Sequence, residues 1–311
     1  MNVLFMGTPE FSVPCLERLI LDGHNVSAVV SQADKPKGRG KKILFTPVKE
    51  CAVSHNIPVF QPETLKDDAF KEELININPD VIIVVAYGKI LPEYILNYPK
   101  YGCINIHASI LPKYRGAGPI QWCLINGEKT TGVTAMYMEK GLDTGDMLLK
   151  REISIGEYEN CEELYEKLSL LGADVLSETL VLAEKGELKP DKQEDSLSTY
   201  APMISKETGL IDWGKSSVDI INLIRGTYVW PVAHTLYNGE PLKIFSAIKG
   251  STNEKNQPGE IVSAGKTGLE VMCGDNKTII IKEAQFFGSK KMSIESYLNG
   301  HNIDSNVILG K

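Results

Sequence analysis

With 311 residues, 42% hydrophobic and 23% charged, the chain can bury a sizeable core in two domains, which excludes a disordered or low-complexity protein. A net charge of −7 excludes a uniformly basic nucleic-acid binder; the first 208 residues carry 22 Lys and Arg against 30 Asp and Glu, and residues 209–311 carry 11 against 10, so any polyanion must meet a local patch. No run approaches the roughly 20 apolar residues of a membrane span, no basic segment precedes the apolar start, and six scattered cysteines form no Cys-x-x-Cys pair, so the expectation is a cytoplasmic protein with reduced thiols and no metal.

An apolar strand is expected at Asn2 to Met6, then a Gly-Thr-Pro turn and a helix from Ser12 to Leu21 whose Val13, Leu16, Leu19 and Ile20 mark one face. A second strand, Val26 to Val30, completes β-α-β spacing and points to a parallel sheet with right-handed crossovers. The first loop is not Gly-x-Gly-x-x-Gly, so no dinucleotide site is read there. Next comes Lys35-Pro-Lys37-Gly-Arg39-Gly-Lys41-Lys42, five positive charges whose Gly and Pro content is expected to keep the segment out of regular structure. Its bland reading is a solvated loop. Thr46 and Pro47 open a helix through His55 as N-cap and first helical residue, and Val59-Phe60 is a short strand.

A helix over Leu65 to Ile77 precedes Asp80-Val-Ile-Ile-Val-Val-Ala86, a continuous apolar run of the kind that fills a central parallel strand. Tyr87-Gly-Lys-Ile-Leu-Pro92 leaves its C-terminal end, where open α/β sheets hold ligands. The next strand, Cys103-Ile-Asn105-Ile-His107, places a carboxamide and an imidazole at alternate positions on one face. Ser109-Ile110-Leu111-Pro112 breaks it, and Gly141-Leu142-Asp143-Thr-Gly145-Asp146 brings two carboxylates within a glycine-flanked loop. Each piece alone has an ordinary reading as a satisfied strand end or a turn. A helix over 118–127, strands over 131–138 and 147–155, and a long amphipathic helix from Asn160 to Lys185 complete the domain, taken as residues 1–188.

Residues 189–208 read as an aperiodic linker with Pro190 and Pro202. The remainder, 209–311, opens with a helix near Ser216 to Arg225. Five β-rich runs follow, His234 to Tyr237, Leu242 to Ile248, Gly259 to Ser263, Gly268 to Cys273 and Lys277 to Phe286, which suggest a small barrel. The fold class is therefore α/β: a Rossmann-like, open, mostly parallel sheet followed by a small OB-like β-barrel.

Taken jointly, Asn105-Ile-His107, Ser109-Ile-Leu-Pro112, Arg115-Gly-Ala117 and Gly141-Leu-Asp143-Thr-Gly145 resemble the signature of folate-dependent formyltransferases. Val3-Leu-Phe-Met-Gly-Thr-Pro-Glu-Phe11, Gln32 to Lys42, Tyr200-Ala-Pro-Met-Ile204 and Trp230-Pro231 are similar to the methionyl-tRNA formyltransferases within that family. The departures are Ala108 where Pro is frequent, Ile110 where Leu is usual and Gly118 where Ala is common, and none removes a polar group.

The resemblance implies metal-free transfer of formyl from 10-formyltetrahydrofolate, consumed as co-substrate, to the amino group of initiator Met-tRNA, by a monomer. It assigns catalysis to Asn105, His107 and Asp143, with Asp143 either orienting His107 or relaying protons through water. Folate contacts fall to Ser109, Ile110, Leu111, Pro112, Tyr87 and Leu142, and tRNA contacts to Lys35, Lys37, Arg39, Lys41 and Lys42. Two other readings are a formyltransferase for a small amine, such as a nucleotide-sugar, and a noncatalytic RNA-binding protein. The basic loop and the Trp-Pro domain weigh against the first, and the acidic charge and intact Asn/His/Asp set against the second.

Overall fold

A computed structural model describes residues 1–37, 42–252, 255–305 and 307–311. The chain forms two units, one of residues 1–116, 131–153 and 165–200, the other of residues 117–130, 154–164 and 201–311. The second unit thus takes in two segments of the expected first domain, and residues 189–200 of the expected linker belong to the first unit.

Elements follow in order as β1 (Asn2–Gly7), α1 (Val13–Leu21), β2 (Asn25–Val30), β3 (Lys35–Lys37), β4 (Lys42–Leu44), α2 (Pro47–Ser54), β5 (Val59–Phe60), α3 (Lys71–Ile77), β6 (Val81–Val85), α4 (Glu93–Leu96) and β7 (Cys103–His107). After these come α5 (Pro119–Ile125), β8 (Thr130–Tyr137), β9 (Met147–Ser154) and α6 (Cys161–Lys185). The main sheet has the order β5-β2-β1-β6-β7-β8-β9. Pairing is parallel from β5 across to β7, and β8 runs antiparallel to β7. All five residues of β6 are buried, which is why it reads as an unbroken apolar run. Leu4, Met6, Ile82 and Val84 pack with Leu74 and Ile95 on one face. On the other, Gly172 of α6 lies against Ile106 and Cys15, and the Phe11 N–H donates to the Tyr165 hydroxyl at 2.8 Å.

Three expectations differ from the structure. The 65–77 helix shortens to α3 because Asp67 and Asp68 take left-handed φ values of 55° and 57°; Leu65 and Phe70 are nonetheless buried, so their spacing reports packing instead of helix. The basic segment is partly regular: β3 and β4 pair antiparallel with Lys35↔Leu44, Pro36↔Ile43 and Lys37↔Lys42. Among the described residues the ribbon has no third strand beside it, so Pro36 is tolerated. Arg39 and Lys41 lie outside the described residues. Finally, α4 was not anticipated.

The second unit contains α7 (Ser217–Gly226), β10 (Ala233–Tyr237), β11 (Glu240–Thr252), β12 (Ile261–Gly265), β13 (Gly268–Met272), β14 (Lys277–Gln285), β15 (Met292–Ser293) and α8 (Ile294–Leu298). The order β10-β11-β14-β13-β12 is antiparallel throughout, with β15 added on β14. Three register shifts along the 13 residues of β11 let it bend, and β10 to β14 enclose one core with Ile220, Ile221 and Ile224 of α7 and Ile294 of α8. Among its buried members, the Trp213 indole donates to Thr235 Oγ1 at 3.1 Å.

Candidate active site

The site sits where β7, last of the parallel strands, ends beside antiparallel β8. Ile104 and Ile106 are buried in the sheet, which leaves Asn105 and His107 to share the other face of the strand. His107 is itself buried, and its Nε2 lies 2.9 Å from the Tyr114 carbonyl oxygen. A carbonyl only accepts, so a hydrogen bond there takes the tautomer with its hydrogen on Nε2 and turns Nδ1 toward the Asp143 loop. Nδ1 faces Asp143 Oδ2 at 3.7 Å, an ion pair when the ring is protonated. Asn105 is half-buried, and no group among the described residues hydrogen-bonds its carboxamide, so both of its N–H donors are open to a ligand.

Asp143 is held from three directions. Its Oδ2 accepts from the Gly116 N–H at 2.8 Å, its backbone is left-handed at φ 52°, and Gln193 Nε2 donates at 2.8 Å to both the Asp143 and Gly145 carbonyls. Gln193 Oε1 accepts in turn from Arg115 Nε at 2.9 Å, and Arg115 Nη2 pairs with Asp195 at 2.8 Å. Any side chain at Gly145 would collide with the Tyr137 carbonyl, so glycine there lets the loop close against β8. Thr199 finishes the frame, its hydroxyl accepting from the Tyr114 N–H at 2.8 Å and its carbonyl from the Arg115 N–H at 2.9 Å.

The Ser109 to Pro112 segment is braced by Thr134. Its hydroxyl donates to the Ser109 carbonyl at 2.7 Å and accepts from the Leu111 N–H at 3.2 Å, while Ser109 Oγ donates to the Lys113 carbonyl at 2.7 Å. Ser109 and Leu111 are buried, Leu111 against Met136 and Met147, whereas Ile110 and Pro112 are half-exposed; the Leu111–Pro112 peptide is cis. Leu142, 57% exposed, stands on the Asp143 loop.

Of the residues expected at the site, the structure brings together Asn105, His107, Asp143 and the 109–112 segment, but it turns Tyr87 inward. The Tyr87 side chain is buried with Leu4, Leu65, Phe70 and Ile95, and burial pushes its phenol up to about 12. What Tyr87 offers near the sheet edge is its carbonyl, which accepts from Gln32 Nε2 at 2.8 Å and Thr8 Oγ1 at 3.3 Å. Burial also pushes the Cys103 thiol up to about 12, which leaves it unfit as a nucleophile. Gln193 and Thr134 were not singled out from sequence. Gln193 lies in an aperiodic stretch, and Thr134 is indistinguishable there from any other strand threonine.

A carboxamide free to donate, an imidazole held at one nitrogen, and a carboxylate facing the other are the groups that acid–base chemistry at a carbonyl carbon uses. The chain belongs to the formyl transferase family, whose model matches residues 1–180 and whose C-terminal domain model matches residues 203–302. Among its relatives, the methionyl-tRNA formyltransferase of Alkaliphilus oremlandii (strain OhILAs) is 52% identical over 311 residues, spanning 100% of both chains. That of Caldanaerobacter subterraneus subsp. tengcongensis is 54% identical over 310 residues, 99% of this chain and 100% of its own. In fold, the chain is similar to the N-formyltransferase from Helicobacter canadensis in complex with folinic acid and dTDP-3-aminofucose, with a TM-score of 0.70 at 19% identity, over 92% of this chain and 100% of that one.

Proposed function

We propose that the chain transfers the formyl group of 10-formyltetrahydrofolate to the α-amino group of methionine on initiator Met-tRNA. The observation that carries the mechanism is the contact of His107 Nε2 with the Tyr114 carbonyl, which leaves Nδ1, beside Asp143, to take and return a proton on the face that also presents the Asn105 carboxamide.

The neutral amine attacks the formyl carbon. A C–N bond forms, and the carbonyl π pair moves onto oxygen, where an Asn105 N–H stabilises it by about 3–4 kcal/mol, as such donors do. The attacking nitrogen gives up its surplus proton, His107 Nδ1 carries it as a cation paired with Asp143, and N10 of the folate receives it. The oxyanion then restores the carbonyl while the C–N10 bond breaks with its electron pair on N10. One proton has moved from amine to leaving group, and the products are formylmethionyl-tRNA and tetrahydrofolate.

Gly116 and Gln193 keep Asp143 in place, Thr134 keeps the 109–112 segment in place, and Ile110, Pro112 and Leu142 offer apolar surface for the folate ring. The basic ribbon receives the tRNA, Lys35, Lys37, Arg39, Lys41 and Lys42 supplying phosphate contacts. Every reacting group comes from one chain, which fits a monomer, and a role in translation initiation fits the cytoplasm. The test offers 10-formyltetrahydrofolate with either initiator Met-tRNA or a dTDP-amino sugar. Formyl transfer to the tRNA alone is expected; transfer to the sugar alone would overturn the assignment.

A further inference from the structure

At the foot of the basic ribbon a group of side chains touches both of its legs. Asp34 immediately precedes β3, and Phe45 and Thr46 immediately follow β4. Lys49, on the first turn of α2, reaches both legs at once: its Nζ donates to Asp34 Oδ2 at 2.5 Å and lies 4.1 Å from the centre of the Phe45 ring. The same ammonium donates to Gln61 Oε1 at 2.7 Å, and Gln61 Nε2 donates to Asp34 Oδ1 at 2.9 Å and to the Gln32 carbonyl at 2.8 Å. A second cross-tie joins Ser31 Oγ and Thr46 Oγ1 at 2.7 Å, and the Thr46 hydroxyl also caps α2 through the Lys49 N–H at 3.3 Å.

The Asp34 and Lys49 side chains are 15% and 16% exposed, so the pair is largely shielded from water and screened less by salt than a surface pair. None of these residues lies among the groups around His107, and none belongs to the 35–42 charge run. The cluster therefore has a mechanical meaning that the charges lack. It fixes the direction in which a short ribbon, paired with no other strand among the described residues, leaves the sheet.

We propose that Lys49, gripping Asp34, Gln61 and Phe45, is a positioning residue that aims the basic ribbon at the tRNA and so sets tRNA specificity without touching the reacting atoms. The proposal rests on the ribbon being the tRNA contact, and its test separates the two ideas. Lys49→Met keeps the length of the stem and removes the ammonium; Asp34→Asn keeps the shape and removes the charge. Both are expected to raise KM for initiator Met-tRNA about ten-fold, while kcat and KM for 10-formyltetrahydrofolate stay within about two-fold of the unaltered chain. Lys49→Arg is expected to restore most of the loss.

Amide hydrogen exchange supplies a readout independent of tRNA. The amides of Lys35, Lys37 and residues 42–44 are expected to exchange faster in Lys49→Met, with those of β1 and β6 unchanged. In combination with Arg39→Ala, the effects on tRNA KM are expected to be less than additive, because both act through the ribbon. If Arg39→Ala lowers tRNA use while Lys49→Met and Asp34→Asn leave both KM and ribbon exchange unchanged, the positioning role is wrong and the ribbon reading stands. If the Lys49 variant speeds ribbon exchange but neither it nor Arg39→Ala alters tRNA KM, the ribbon is not the tRNA contact and the specificity role falls with it.

Discussion

Asn105→Ala removes a donor that no other group among the described residues uses, so its cost is expected to fall on the transition state and not on folding. A loss of about 10²- to 10³-fold in kcat is expected, with little change in either KM or in melting temperature. His107→Ala is expected to lose at least as much, and steady-state kinetics on both variants checks this; near-normal turnover in either would remove that residue from the chemistry. Gln193 offers a finer test, because its amide N–H group donates to the carbonyls of Asp143 and Gly145 while its oxygen accepts from Arg115. Gln193→Ala is expected to lower kcat about ten-fold through a displaced Asp143, whereas Gln193→Glu, which turns an amide donor into an acceptor facing two carbonyls, is expected to lower it further. Unimpaired activity in both variants would mean that the loop holds its shape without the amide.

Thr134 joins β8 to the segment after β7, so its removal tests an element. Thr134→Val leaves the Ser109 carbonyl and the Leu111 N–H without their partner, at a cost of about 1–3 kcal/mol, and is expected to raise KM for the folate more than it lowers kcat. In the second unit, Glu270 on β13 accepts hydrogen bonds from Ser251 on β11, Ser263 on β12 and Thr278 on β14 at 2.9, 3.1 and 2.7 Å. Partial burial pushes its carboxyl up, but these three hydroxyls outweigh that and hold it below the ordinary value of 4.5. A carboxyl depressed on folding stabilises the fold above its unfolded value and loses that contribution as pH falls through the folded one. Glu270→Gln is therefore expected to melt earlier than the unaltered chain at neutral pH, and the two curves to converge well below pH 4; parallel curves at every pH would sink the idea. At this scale much was legible in the sequence. α1, α2, β6 and α6 were expected within two residues of where they lie, because periodicity and the Thr46-Pro47 cap are local signals. The ribbon and the short α3 were not, since strand pairing and the left-handed Asp67 and Asp68 depend on what the chain meets after it folds. Within the site, spacing placed Asn105 and His107 on one face and the family resemblance singled them out together with Asp143, but the buried Tyr87 and the Gln193 brace depend on contacts between distant segments.

For the whole molecule, an acidic protein that takes an RNA substrate must bind through a patch, and the salt dependence of binding reports its size. The unaltered chain is expected to lose tRNA affinity steeply as salt rises, and Lys41→Ala with Lys42→Ala to flatten that slope by about two phosphate contacts while folate affinity holds. Superimposable salt curves would return the charge run to the surface. Cutting the chain near residue 205 tests the division into units. Residues 117–130 and 154–164 pack in the unit that such a cut removes: Gly226 of α7 lies so close to Ile125 that a side chain there would collide, and buried Arg225 donates to the Gly156 and Glu157 carbonyls at 3.0 and 3.2 Å. A fragment of residues 1–205 is expected to melt below the full chain and to bind a hydrophobic dye, and identical melting would show that those two segments need no partner.

The same interleaving sets a timetable for a chain made from its N-terminus onward. α5 is complete at Ile125, but α7, against which it packs, begins only at Ser217, about ninety residues later. At roughly 5–20 residues per second the ribosome takes some 5–20 s to supply it, far longer than the microseconds a helix needs to form. Ile120 and Leu124, buried in the finished protein, wait through that interval without α7, at a stage when β1 to β7 are already available to pair. Newly made chains are thus most exposed to aggregation, and most in need of a chaperone, between the emergence of residue 125 and that of residue 226.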